Sequence, residues 1–314
     1  MRHVIVDTDT AADDALALIM VLQQPDVTVH GVTINCGNIQ FDQQVKNALY
    51  TLELVGRADV PVHKGCREPF QRRFRTVPEV FGPDGFSGAN FPDAKAQASD
   101  THAVDAIIAA AHALPGELEI FALAPLTNIA MALMKAPEIA PLIKRIWFMG
   151  TTLHAVGNIT MGAEFNVWVD PEAADIVLRA GVPLTITPWE TAKSDAIFRH
   201  AEREEMGRLD NPVAKFFHRV SETLYAYTDG IEGIEGAIHS DIIGVTVPLF
   251  PEDTLEQADM YMCVELGGEF SRGVTLLDWV GLAGHTPNIT IVKAIDRESF
   301  RRRIVDMCKA GANA

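Results

Sequence analysis

Four aspartates, Asp7, Asp9, Asp13 and Asp14, fall within eight residues near the start of the chain. Carboxylates this close repel one another, and folding them together is unfavourable unless a cation neutralises them or water keeps access. A helix that begins here offers one of them ordinary work, because an Asp at a helix start accepts orphan amide protons. Capping accounts for Asp13 or Asp14 and leaves the others unexplained. Acidic all-oxygen ligands suit a hard divalent ion, Ca²⁺ or Mg²⁺ rather than zinc.

The elements around this cluster decide whether it is a site. Residues 3–6 form an apolar run that stops at Asp7 and reads as a buried strand. Residues 14–23 carry apolar side chains at helical spacing, and residues 27–34 alternate and are rich in β-branched types, a second strand. The alternation continues, with strands at 60–63, 118–123, 143–149 and 184–186 and helices at 43–55, 103–114, 126–135 and 171–180. A helical, charged excursion covers about 197–240, two or three strands follow between 260 and 292, and a helix at 297–309 closes the chain. The expected fold is a single α/β domain over 1–314, its central sheet mostly parallel and flanked by helices. Ligands of such sheets bind beyond the carboxyl ends of the strands, where the aspartates fall. The stretch 77–92, Gly- and Pro-rich around Asp84, reads as a long functional loop.

Composition removes several classes. Of 314 residues, 48% are hydrophobic and 22% charged, too apolar for disorder. Lys and Arg total 26 against 42 Asp and Glu, a net charge of −16, which repels a nucleic-acid backbone. The short runs Arg72, Arg73, Arg75 and Arg297, Arg301, Arg302, Arg303 read as solvated faces. No apolar stretch reaches the roughly 18 residues of a membrane helix, and Asp7 comes too early for a signal peptide. Cys36, Cys66, Cys263 and Cys308 are too scattered for a zinc knuckle or a disulfide framework, so a cytoplasmic protein with reduced thiols is expected.

The N-terminal pattern D-T-D-T-A-A-D-D-A after a strand resembles the signature of the nucleoside hydrolases, the inosine-uridine-preferring type and its relatives. Further blocks resemble that family in order: Thr33 to Asn38 ending in Gly-Asn, Leu123 to Ala130 (LAPLTNIA), and Met149-Gly150 followed by Gly157-Asn158, Ala163 to Asn166 and Asp170 to Ala174. His239-Ser240-Asp241 resembles the final acidic motif. Two departures stand out. Thr10-Ala11-Ala12 replaces the usual Pro-Gly turn, and Ala resists the positive φ that Gly allows. Many relatives place His directly before the last Asp, where this chain has Ser240, with His239 one residue earlier.

The resemblance implies hydrolysis of a ribonucleoside to ribose and free base, in nucleoside salvage, by a Ca²⁺-dependent homodimer or homotetramer with no nucleic-acid or membrane partner. It implies Asp9, Asp14, Asp241 and the main-chain carbonyl of Leu123 as metal ligands, with Asp9 also general base. Asp13, Asn38, Asn158, Glu164 and Asn166 would hold the ribose, against which Met149 would pack. His239, one position out of register, is the candidate leaving-group acid. Tyr225 and Tyr227 share that role or stack on the base, with Phe81 as a lid and Trp189 along the wall. Two other readings stay open: a nucleoside-binding protein with impaired catalysis, and a metal-dependent phosphatase with Asp7 as nucleophile and Asp9 as acid/base.

Overall fold

The computed structural model describes residues 1–311. The described residues form twelve strands, β1 (Arg2–Thr8), β2 (Val27–Ile34), β3 (Val62–Lys64), β4 (Leu118–Ala122), β5 (Ile143–Met149), β6 (Leu184–Thr187), β7 (Ile197–Phe198), β8 (Ala237–Ile238), β9 (Thr254–Met260), β10 (Met262–Val264), β11 (Thr275–Leu277) and β12 (Ile289–Ile295); helices separate them up to β9, and β9 to β12 follow one another without a helix between. Eight of them make one sheet in the order β3-β2-β1-β4-β5-β6-β12-β9. Every pairing is parallel except β12 with β9. The fold is thus the mostly parallel α/β domain expected from the alternation.

β1 lies between β2 and β4, and the strand order reverses there. That reversal opens a crevice at the carboxyl ends, the general ligand position of doubly wound sheets. β1 reads as a continuous apolar run because helices cover both sheet faces, and Val4, Ile5 and Val6 are buried. The helix Ala12–Leu22 is buried along its whole length and packs against the helix Ser240–Leu249. Gly244 allows that second helix to press onto the site floor, since a Cβ there would lie 2.9 Å from the Met149 Cβ.

The turn at Ala11-Ala12 needs no left-handed backbone: Ala11 has φ −108° and Ala12 already begins the helix. Ala is therefore unstrained here. β9 was hidden in the sequence because it is an edge strand with mostly exposed residues, TLEQADM, and carries no apolar alternation. The excursion at 197–240 contains the helices His200–Gly207, Pro212–Val220 and Glu222–Tyr227, framed by the antiparallel pair β7 and β8. Within 77–92 a short helix, Pro78–Phe81, precedes a chain of tight turns. Among the described residues no helix is long and apolar enough to cross a membrane.

Candidate active site

The carboxyl end of β1 runs straight into the acidic cluster, and all four aspartates are buried. Asp7 differs from the rest. Its Oδ1 accepts from Thr33 Oγ1 (2.6 Å) and Asn128 Nδ2 (2.8 Å), and its Oδ2 from Asn35 Nδ2 (3.2 Å). Burial pushes its carboxyl up to about 6 against those hydrogen bonds. Asp7 therefore ties β1 to neighbouring segments and is spent there, which removes the nucleophile the phosphatase reading requires.

Asp14 combines a cap with a site role. Its Oδ1 accepts from Thr8 Oγ1 (2.7 Å), and its Oδ2 from the Ala11 N–H (3.0 Å) and Asn38 Nδ2 (3.0 Å). Asp9 Oδ2 accepts the Asn38 N–H at 2.7 Å. That approach demands Gly37, where a Cβ would fall 1.8 Å from Asp9 Oδ2. Asp13 Oδ2 accepts from Ser240 Oγ at 3.0 Å. The other oxygens of Asp9 and Asp13 are buried without a hydrogen-bond partner among the described residues.

Asp241, at the start of the helix Ser240–Leu249, completes the group. Carboxylate oxygens of Asp13, Asp14 and Asp241 lie within 4.8 Å of one another; Asp9 borders this trio. Burial first, then the charges of neighbouring aspartates, drives the Asp9, Asp13 and Asp241 carboxyls far above their ordinary range; Asp14 is raised by burial. A buried divalent cation would relieve that repulsion. The donor set fits a hard metal ion.

Above the cluster opens a cavity at the carboxyl edge of the sheet, the usual ligand position of such folds. Asp13, Asn38, Phe81, Leu123, Met149, Asn158, Glu164, Asn166, Trp189, Tyr227 and Asp241 all line it. Asp9 and Asp14 lie beneath. Several lining groups also have structural work. Glu164 caps the helix Phe165–Val169, accepting the N–H of Asn166 (3.0 Å) and Val167 (3.3 Å), and it holds Thr151 N–H (3.0 Å). Thr151 is a β-branched residue at φ +75°, so this bond holds strained backbone. Burial raises the Glu164 carboxyl to about 7. Asn158 Oδ1 accepts the Phe165 N–H, and Asn166 Nδ2 donates to the carbonyls of Leu123 (3.2 Å) and Met149 (3.0 Å).

His239 is not where the leaving-group role needs it. The ring is fully buried among Phe198, Phe217 and Tyr225, outside the cavity, and neither nitrogen has a partner among the described residues. Ile238 and Ser240 face the cavity instead, so the backbone turns the intervening side chain away. Tyr225 is buried beside it and also leaves the cavity to Tyr227. Burial, reinforced by Arg203, lowers the His239 pKa to about 3. The unfolded chain binds this proton below about 6.5 and the folded chain does not, so stability is lost as pH falls through that window. His239→Phe is therefore expected to flatten the fall in melting temperature between neutral pH and the middle of the window. Its turnover should escape the loss of about 10²–10⁴-fold that removing a general acid brings; a loss of that size would restore the catalytic role.

The sequence reading missed Arg75, Glu79, Leu224, Thr228 and Glu232 along the cavity wall. Arg75 pairs with Glu79 and Glu232 with Lys193, so in the sequence they read as ordinary surface charges.

A doubly wound sheet with buried acids under a cavity at its carboxyl edge has the layout of a small-molecule site. The chain belongs to the inosine-uridine preferring nucleoside hydrolase family, whose model matches residues 4–302. A pyrimidine-specific ribonucleoside hydrolase of Shewanella baltica is 34% identical over 306 residues, 97% of this chain and 95% of that one. Among solved structures, a plant nucleoside hydrolase superposes with TM-score 0.92 at 28% identity, covering 98% of this chain and 99% of its own. A purine-preferring ribonucleoside hydrolase from Gardnerella vaginalis gives TM-score 0.91 at 29% identity, covering 99% and 100%.

Proposed function

We propose that this chain hydrolyses the N-glycosidic bond of ribonucleosides with Ca²⁺ as its metal and Asp9 as general base. The observation that carries the reading is the buried cluster of Asp9, Asp13, Asp14 and Asp241, with unpartnered oxygens on Asp9 and Asp13, at the floor of the cavity. Asp9, Asp14, Asp241 and the Leu123 carbonyl would hold the ion. Bound there, it supplies a hard Lewis acid that lowers the pKa of water and orients it.

Asp9 is held through Oδ2 by the Asn38 N–H, which leaves Oδ1 to take the proton of the attacking water. The water oxygen joins the anomeric carbon as the bond to the base nitrogen breaks. The sugar passes through an oxocarbenium-like state, and the surrounding carboxylates stabilise its positive charge. Asp13, Asn38, Asn158, Glu164 and Asn166 bind the sugar hydroxyls, and Met149 packs against the ring. Phe81, Trp189 and Tyr227 flank the base. Burial, with Glu232 and Glu79 nearby, raises the Tyr227 pKa and keeps its phenol a hydrogen-bond donor toward that base. The family resemblance further supports a homodimer or homotetramer in the cytoplasm.

The test is reducing-sugar release from inosine, adenosine, guanosine, uridine and cytidine, with and without chelator. Ribose is expected from at least one, lost on chelation and regained with added Ca²⁺. Calcium-dependent nucleoside binding with no ribose over hours would favour the impaired-catalysis reading, and phosphate release from a phosphorylated substrate would favour the phosphatase.

A further inference from the structure

We propose that Asp84 is a positioning residue that fixes the base-receiving wall of the cavity to the acidic turn at its floor. The proposal rests on the nucleoside reading above. Asp84 is buried and outside the cavity lining. Its Oδ1 accepts the N–H of Phe86 (2.9 Å) and Gly88 (2.7 Å), and its Oδ2 accepts the N–H of Asn90 (2.8 Å). One carboxylate thus organises three main-chain amides, in the manner of an anion held in a backbone nest.

The backbone it organises is strained. Ser87 and Asn90 take positive φ values of 56° and 50°, and Gly82, Gly85 and Gly88 are also left-handed. Conformations of this kind persist only where surrounding structure over-determines them, and they cluster at functional sites. Here the three accepted amides supply that constraint.

Three anchors connect the loop to both ends of the cavity. At its start, the Val77 N–H donates to the Asn38 carbonyl (2.7 Å), and Asn38 holds Asp9 and Asp14. In its middle, Asn47 Nδ2 donates to the Asp84 carbonyl (2.9 Å) and the Thr10 carbonyl (3.0 Å), bridging the loop to the acidic turn. Gly85 allows that approach, since a Cβ would lie 2.5 Å from Ile39 Cδ1 and 3.0 Å from Asn47 Nδ2. At its end, Ser87 Oγ donates to the Val220 carbonyl (2.6 Å) and accepts the Thr223 N–H (2.9 Å). The helix that begins at Glu222 carries Leu224 and Tyr227, while the loop itself carries Phe81. Both sides of the base-receiving wall therefore hang on the turn that Asp84 templates. Nothing in the chemistry of the acidic cluster requires Asp84; its effect is to place the wall.

Misplacing a bound reactant by about 1 Å can cost about 10²-fold in rate. Asp84→Ala is expected to lower kcat/KM for a nucleoside by about that factor, mainly through KM, while inhibition by free ribose stays unchanged. Asp84→Asn, which keeps one acceptor for Phe86 and Gly88 but turns an amide toward Asn90 N–H, should fall between. Hydrogen exchange should show lost protection at 85–90 and also at 222–227. Unchanged kinetics in a folded variant, equal weakening of ribose and nucleoside, or unaltered protection at 222–227 would overturn the proposal. If Asp84→Ala does not fold, Ser87→Ala carries the same readouts, because it cuts only the link to the helix. If the wild type releases no ribose from any nucleoside, the functional reading fails, and exchange at 222–227 still decides the coupling.

Discussion

Asp9→Asn is expected to lower kcat by about 10³–10⁴-fold while leaving the fold intact, the upper range for loss of a general base. The substitution keeps an oxygen that can accept the Asn38 N–H, which Asp9 Oδ2 accepts at 2.7 Å. What it removes is the basic oxygen, Oδ1, which is buried and has no other partner among the described residues. The variant also carries one fewer charge in a crowded acidic group, so its thermal stability without metal should rise. A steady-state assay with saturating Ca²⁺ and a melting curve without it separate the two effects. Activity within a few-fold of wild type would remove Asp9 from the base role.

A 2′-deoxyribonucleoside is expected to be a poorer substrate by about 10⁴-fold in kcat/KM, because a site built to bind a hydroxyl rejects the analogue lacking it. The end of the cavity over the acidic group, where the proposed reading places the sugar, is rich in acceptors. Asp13 Oδ1 is unpaired, and its other oxygen is fixed by Ser240. Asn166 spends its amide donor on the Leu123 and Met149 carbonyls, so its remaining side-chain oxygen is a further acceptor. Vicinal hydroxyls supply the donors these groups lack; a methylene supplies none and leaves a buried carboxylate oxygen bare. Competition between uridine and deoxyuridine, or inosine and deoxyinosine, measures the ratio. Discrimination below tenfold would show that these acceptors do not read that hydroxyl.

The parallel core was legible because a strand buried on both faces is an apolar run, as Val4 to Val6 are, and because Val27 to Ile34 is rich in β-branched residues with apolar alternation. The acid cluster was legible because four carboxylates so close have few physical explanations. What stayed hidden depended on direction or on distant partners. Asp7 looks like its neighbours until Thr33, Asn35 and Asn128 surround it. His239 and Ser240 are adjacent, and only the backbone turn decides that the serine faces the cavity and the imidazole the aromatic core. Glu232 and Arg75 belong to charged, partly exposed segments, and no local pattern marks a residue that overhangs a mouth formed by other parts of the chain.

Leu123 lines the cavity, and its main-chain oxygen accepts from Asn166 Nδ2. Every amino acid presents the same carbonyl. Mutation there can widen or narrow the chamber without deleting that oxygen, whereas mutation at Asp14 or Asp241 removes a carboxylate outright. Position 123 is thus open to evolutionary drift, or to a designer, as a place to retune the chamber, provided Gly244 is kept: a Cβ at 244 would lie 3.1 Å from Leu123 Cδ2.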